Sequence, residues 1–377
     1  MKKKLNILFL CSWYPSRVHP ENAIFVQRHA EAANSINNVS VVHIISDANN
    51  VKNIEYSFSK TNGLQTYIAY LKPTKNKITK VFRYFKAYKE LRKLVRNIDV
   101  IHVNHGFPLG LFAIMENLTS RIPFVSSEHW SGYKAPLNEK INFFQKKALK
   151  IIFKRASFIC PVSENLKDSM IEFGLNAKYK CVPNVVDTKL FTPNLNLSNS
   201  SQFEITHISN MVNEIKNVQG ILNVISRLEK KIPNIKFNLI GNNNHSYTQQ
   251  IEELNIKCIN ITNFLNPEEV AEFLRKSDVF VLFSNYENLP CVILESFSCG
   301  TPVISTNVGG IKEYFPKEFG RLISPKDELA LENELLNYYE QDKTIPKEKM
   351  HSYCKDNFSF YTIGKKFSEI YHQTLSK

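Results

Sequence analysis

Hydrophobic positions along the chain fall into two alternating patterns. Short apolar runs predict strands at Lys4–Leu10, Val39–Ser46, Asp99–His105, Pro123–Ser127, Ala156–Ser163, Phe203–Ser209, Lys236–Gly241, Ile259–Leu265 and Asp278–Phe283. The last is the clearest, an almost wholly apolar stretch of the kind buried on both faces of a parallel sheet. Residues 50–70 read as a looser strand pair around Thr61-Asn62-Gly63. Apolar residues spaced three and four apart predict helices at Ile24–Ala33, Lys72–Arg96, Lys140–Arg155, Val218–Leu228, Pro267–Lys276 behind an Asn266 cap, and Tyr361–Thr374. Strand followed by polar loop followed by helix, many times over, implies doubly wound α/β architecture, in which ligands collect at the carboxyl ends of the strands. With 377 residues the chain has room for two domains. The polar run Thr192–Gln202 marks the linker, giving domains at 1–188 and from 203 onward, with 189–202 between them.

Composition narrows the class. No run of about eighteen apolar residues is present, so no helix is expected to span a bilayer. The opening Met1-Lys-Lys-Lys-Leu-Asn-Ile-Leu-Phe-Leu-Cys11 has too short an apolar run for a secretory signal and lacks small residues before the cysteine. It reads as a buried first strand of a cytoplasmic protein. The seven cysteines are scattered without C-x-x-C spacing, which suggests reduced, mostly buried thiols and no metal cluster.

Charge is uneven. Residues 1–188 hold 28 Lys and Arg against 13 Asp and Glu, whereas the remainder holds 20 against 22. Such asymmetry predicts a polyanionic partner for the first domain. Residues 72–96 alone carry ten basic residues and one acid, Glu90. Their apolar residues, Ile78, Val81, Phe82, Phe85, Leu91, Leu94 and Val95, are expected to face the core and the lysines to face outward. Phe143, Phe144, Leu149, Ile152 and Phe153 repeat the theme over 140–155. A basic outer face predicts peripheral docking on an anionic membrane surface, at the inner face of the plasma membrane and without insertion. No nucleic-acid partner is expected, because neither base-stacking aromatics nor a recognisable module is present.

Candidate chemistry centres on Ser284-Asn-Tyr-Glu287-Asn288-Leu289-Pro290-Cys291-Val292-Ile-Leu-Glu295, running on to Gly300 and Gly309-Gly310. Glu287 follows a strand's carboxyl end, Pro290 suits a helix start and Gly300 its stop. The N–H groups of Leu289, Cys291 and Val292 lie at a helix N-terminus, which attracts anions such as a diphosphate. Two carboxylates eight residues apart can accept hydrogen bonds from sugar hydroxyls. Together these elements describe a site for a nucleotide sugar.

This stretch resembles the glutamate-seven-glutamate signature of the retaining nucleotide-sugar glycosyltransferases of family 4, surface-polysaccharide type, and the resemblance extends over nearly the whole chain. It implies the GT-B fold: two doubly wound Rossmann-like domains facing across a cleft, an acceptor domain over 1–188, a donor domain over 203–354, and residues 355–377 returning to the first. It implies a UDP- or GDP-sugar donor, a glycan acceptor, commonly lipid-linked, and no metal cofactor. Glu287 is then similar to the residue contacting the sugar, Glu295 to that on the ribose, Lys216 to the diphosphate lysine, and His129 to the first-domain histidine beside the transferred sugar. Asn288, Leu289, Cys291 and Val292 line the same donor site. Asn184 belongs to a stretch, Pro183-Asn184-Val-Val-Asp187, that resembles the family's turn before the linker. Two departures stand out. Asn210 takes the place of the family's diphosphate-binding arginine, and the first loop lacks its glycine pair, so that Arg17, His19, Arg28 and His29 either meet acceptor or phosphate or decorate a surface. Two other classes are compatible with the same pattern: a nucleotide-sugar epimerase or other GT-B enzyme, and a non-catalytic carbohydrate- or nucleic-acid-binding protein.

Overall fold

The computed structural model describes residues 3–21, 23–134, 137–194, 201–340 and 346–376, which divide into two compact units, 1–185 with 360–377 and 186–359. In the first unit the order is β1 (Asn6–Cys11), α1 (Ile24–Asn34), β2 (Asn38–Ser46), β3 (Ile54–Thr61), β4 (Leu64–Leu71), α2 (Lys77–Leu94), β5 (Val100–Asn104), α3 (Gly110–Ser120), β6 (Phe124–Glu128), α4 (Phe143–Arg155), β7 (Phe158–Pro161) and α5 (Glu164–Glu172). The second contains β8 (Phe203–Ile208), α6 (Asn213–Lys216), α7 (Val218–Leu228), β9 (Ile235–Ile240), α8 (Thr248–Glu253), β10 (Ile259–Thr262), α9 (Pro267–Lys276), β11 (Val279–Leu282), α10 (Cys291–Ser298), β12 (Val303–Thr306), β13 (Gly320–Ile323), α11 (Glu328–Glu340) and α12 (Lys347–Phe358). A last helix, α13 (Phe360–Leu375), belongs to the first unit.

Each unit is built on one sheet. The first has strand order β3-β4-β2-β1-β5-β6-β7, parallel except for β3. The β3–β4 hairpin turns through Asn62 and Gly63, both at positive φ, as a two-residue turn between twisted strands requires. The second sheet, β10-β9-β8-β11-β12-β13, is parallel throughout. Both orders reverse direction once, between β1 and β5 and between β8 and β11. The loops leaving those strands therefore open at topological switch points, where doubly wound sheets bind ligands.

Apolar burial follows the strand runs closely. Ile7, Phe9, Val41, Val100 and Val125 fill the first core, together with Ile363, Phe367 and Tyr371 of α13. The hydroxyl of Tyr371 lies 2.6 Å from His102 Nδ1 in the middle of the sheet, and the other ring nitrogen faces Ser127 Oγ at 2.8 Å. In the second unit Val279, Val281 and Phe283 pack with Ile205, Leu239 and the apolar side of α7. The Asn266 cap over α9 is closed reciprocally by Glu269, and Gly300 ends α10 at φ +77°.

Three expectations need correction. The apolar residues of α2 do not all face the core. Leu91 and Val95 are buried, but Ile78, Val81, Phe82, Phe85 and Leu94 are exposed. In α4, Leu149, Ile152 and Phe153 are buried while Phe143 and Phe144 are bare. Helical spacing marks apolar residues as neighbours, and it does not say that one helix carries a single stripe. The linker is the third case. Its residues 195–200 lie outside the described set, but its start is part of the second unit: Phe191 is buried, its carbonyl accepts from Ser298 Oγ at 2.5 Å, and Arg275 donates to the carbonyls of Leu190 and Thr192 at 2.6 and 2.8 Å. The units accordingly divide at 185/186. No described helix is long and apolar enough to cross a membrane.

Candidate active site

The second unit gathers the acidic signature and Lys216 at its switch point. β8 ends at Ile208, and the loop that follows carries Asn210 before the single-turn α6, which ends on Lys216. β11 ends at Leu282, and its loop carries Ser284 and Glu287. Adjacent parallel strands, β8 and β11, thus deliver Lys216 and Glu287 to one place, where the ammonium forms an ion pair with Glu287 Oε1. Ser284 Oγ donates to the same oxygen at 2.8 Å. Asn285 N donates to the Ile215 carbonyl at 2.7 Å and Asn285 Nδ2 to the Glu214 carbonyl at 3.1 Å, so the two loops are tied by backbone as well as by charge.

The rest of the signature is held from below. Pro290 occupies the N-cap of α10 and not its first helical position, so Cys291 and Val292 form the first turn. Leu289 is buried, and so is Glu295, one turn further along the helix. Gly309 closes the site from the far side at φ +61°. A Cβ there would stand 1.9 Å from the Glu287 carbonyl oxygen, so only glycine lets the two backbones approach this closely. Gly310 N then donates to the Asn288 carbonyl at 2.8 Å. Gly241, at φ +144°, makes an equally close approach to the Ser209 carbonyl, fixing the β8 loop against the β9 loop. Asn210 is exposed, its Oδ1 accepting from Val212 N at 3.4 Å and its carbonyl accepting from Asn243 Nδ2 at 3.3 Å.

The first unit holds a second group of predicted residues at the carboxyl ends of its own strands. His129 follows β6 and is half-buried, with Phe25 at 4.6 Å between ring centroids and His29 at 4.8 Å. Burial pushes its imidazole well below the ordinary range, and the neighbouring His29 adds to the push against a hydrogen bond with the Asn184 side chain. His29 itself is lowered to about 4 by burial, with the Pro183 carbonyl at 3.0 Å from its Nε2 acting in the opposite sense. Both rings are therefore neutral at neutral pH. Arg28 is buried on the same helix. Arg17 is engaged otherwise: it pairs with Asp47 at 2.8 Å and Glu55 at 2.6 Å and lies over the Tyr70 ring at 3.8 Å, so it braces β2 and β3.

Sequence reasoning missed a further cluster beside the β1/β5 switch point. Glu128 is fully buried, with Oε1 accepting from Gly106 N at 2.6 Å and Oε2 accepting from the Tyr133 hydroxyl at 3.0 Å. His105, at φ +63°, sets Nδ1 3.4 Å from Glu128 and stacks on Trp13 at 4.0 Å. Gly106 and His105 lie 22 and 23 positions before Glu128 with no shared spacing, so only the parallel pairing of β5 with β1 and β6 reveals the cluster. Ser284 was likewise unmarked, though its place three residues before Glu287 is a usable signal.

Comparison with known proteins gives a consistent result. The model described as Glycosyltransferase Family 4 matches residues 39–190, and that described as Glycosyl transferases group 1 matches residues 191–357. A Bacillus subtilis protein named for teichuronic acid biosynthesis, the glycosyltransferase TuaC, is 21% identical, covering 98% of both chains. Among solved structures, sucrose-phosphate synthase from Thermosynechococcus elongatus superposes with a TM-score of 0.79 at 18% identity, over 99% of this chain and 100% of that one. The Anabaena protein HepE, solved in complex with UDP, superposes with a TM-score of 0.76 at 17% identity, over 98% of this chain and 100% of that one. At such identities the structural likeness speaks for the fold.

Proposed function

Since the chain is a GT-B glycosyltransferase whose halves match family 4 and group 1 in turn, we propose that it transfers a sugar from a UDP- or GDP-sugar to a hydroxyl of a glycan acceptor with retention of anomeric configuration. The observation that carries this reading is the meeting of Lys216, Ser284 and Glu287 at the β8/β11 switch point, directly before the N-terminal turn of α10.

In this reading the ammonium of Lys216 and the α10 amides hold the diphosphate, Glu287 and Asn288 contact the sugar, and Glu295 accepts from the ribose hydroxyls. His129, whose ring is neutral, keeps the role that the resemblance gives it, steadying the sugar's hydroxyls. Stabilising negative charge on the departing diphosphate supplies the main rate term, as preorganised donors do for developing anions in general. The departing phosphate takes the acceptor's proton, so no protein base is assigned. No divalent ion is required, and activity is expected to survive chelation by EDTA. The acceptor is a lipid-linked glycan of lipopolysaccharide, capsule or exopolysaccharide assembly, met at the inner face of the plasma membrane. The basic surplus of the first 188 residues supports that last step.

The test is a thermal-shift screen of nucleotide sugars followed by nucleotide release with and without glycan acceptor. A donor that stabilises the protein, an acceptor-dependent release, and at least a hundredfold loss in Glu287→Gln and Lys216→Met are expected. Full activity in either folded variant overturns the assignment of the site. Release that ignores the acceptor points to an epimerase-type reaction instead, and an inverted product anomer removes the retaining mechanism.

A further inference from the structure

The face of the first unit built by α2, α3 and α4 carries an apolar feature that the donor site does not use. α2 has two apolar stripes. Ala87, Tyr88 and Leu91 form the buried one, with Tyr88 stacked on Phe112 of α3 at 4.2 Å. Ile78, Val81, Phe82 and Phe85 form the other, at positions i, i+3, i+4 and i+7, turned roughly a third of a turn away at 3.6 residues per turn. The first three of these are 82%, 69% and 64% exposed. At the start of α4, Phe143 and Phe144 are 74% and 79% exposed, and Leu111 in the first turn of α3 is also bare.

Topology puts these residues along one edge of the first sheet. Each of the three helices leaves the carboxyl end of one strand and descends to the start of the next strand parallel to it, so their first turns rise along one edge of the sheet. α3 packs on α2 through Phe112, and Gly110 at its start lies so close to Ile152 of α4 that a Cβ would meet that side chain at 2.8 Å. Exposed Lys77, Lys86 and Lys89 flank the α2 stripe, and exposed Lys147 follows the two phenylalanines. Past Phe85 the stripe runs into a groove of about 320 Å³ whose lining includes Tyr88 and Met115 as well as Lys89 and Lys93.

Large side chains bare on one edge, ringed by cations, match what an interfacial helix needs: apolar groups for the acyl boundary and ammonium groups for lipid phosphates. Adsorption by charge alone calls for the lysines and leaves the phenylalanines without a role. We propose that this edge docks on an anionic bilayer by inserting Phe82, Phe143 and Phe144 below the headgroups while the flanking lysines engage lipid phosphates. The proposal deepens the membrane reading above, and rests on it, by replacing docking without insertion with shallow insertion.

Sedimentation with phosphatidylcholine vesicles, with and without phosphatidylglycerol, at low and at molar salt, tests it. The protein is expected to prefer anionic vesicles and to keep a salt-resistant bound share. The triple variant Phe82→Ser/Phe143→Ser/Phe144→Ser should lose that share and bind about tenfold more weakly at low salt. In a Phe143→Trp variant, emission should shift to the blue on vesicle addition. A triple variant that binds like the parent, complete stripping of the parent by salt, an unshifted emission, or a dimer sealed through the patch that vesicles do not dissolve each overturns the proposal. Nucleotide release measured in solution keeps the two readings apart. Lost vesicle binding with unchanged release supports insertion and leaves transfer standing, whereas intact binding with no turnover of any nucleotide sugar strikes transfer alone.

Discussion

Substituting Gly309 by alanine should disable the proposed donor site from behind without altering any side chain proposed to meet the substrate. At φ +61° an alanine bears the strain of the left-handed region, about 1–2 kcal/mol. Its Cβ would also stand 1.9 Å from the Glu287 carbonyl oxygen and 2.6 Å from the carbonyl carbon. Carbon and oxygen without a bond between them sit about 3.3 Å apart or more, so one backbone must retreat by roughly 1.4 Å. That retreat also stretches the 2.8 Å bond from Gly310 N to the Asn288 carbonyl, whose loss costs about 1 kcal/mol. The summed destabilisation is about 2–3 kcal/mol, which a melting curve resolves. Because the loop that moves carries Glu287, a shift on the order of 1 Å should lower kcat/KM about a hundredfold, or about 2.7 kcal/mol of transition-state stabilisation. The assay is nucleotide release with whichever donor the screen finds, on protein shown by circular dichroism to be folded. Activity within twofold of the parent together with an unchanged melting temperature would refute the argument, since the loop would then have room that the geometry denies it.

Acid should destabilise the fold through its buried histidines. His29, His43 and His207 are each lowered to about 4 by burial, and His102 and His129 are lowered well below the ordinary value. The unfolded chain therefore takes up more protons below about pH 6.5, so stability is full above that pH and falls by about 1.4 kcal/mol per pH unit per histidine as pH drops towards 4. Of these five, only His207 lies in the second unit, so the first should unfold first on acidification; a melting temperature flat from pH 7 to 5 contradicts this. Asn266→Ala opens the reciprocal cap on α9 and should cost about 1 kcal/mol, read as a lowered denaturant midpoint with unchanged slope. Asn210→Arg places a cation in the loop that leads to Lys216 and should tighten nucleoside diphosphate binding about tenfold in calorimetry, equivalent to about 1.4 kcal/mol. An unaltered Kd would mean that the residue 210 side chain does not reach the diphosphate.

Much of the second unit was legible in advance, because its signals are local. Asn266 before Pro267 announces a helix start, the run from Asp278 to Phe283 announces a doubly buried strand, and Gly300 announces a stop. Glu287 and Lys216 were found separately, and what joins them is the β8–β11 pairing, which no spacing reveals. The first unit was read less well for the same reason. Arg17 takes its partners from residues 30 and 38 positions away, and Glu128 finds Gly106 across two strands. Periodicity correctly gave the α2 helix yet assigned its apolar residues to one face, since a helix with two stripes and a helix with one broad stripe look alike until the neighbour that covers only Ala87, Tyr88 and Leu91 is in place.

The helix α13 sets a condition on how this polypeptide reaches its native state. Ile363, Phe367 and Tyr371 are wholly enclosed by a domain whose other residues are all translated before position 186. On the ribosome that domain must wait, with a gap where those three side chains belong, until α13 emerges. A nascent product cut short before α13 exposes the vacancy to chaperones and proteases, so quality control can sense from the first unit whether the second has been translated.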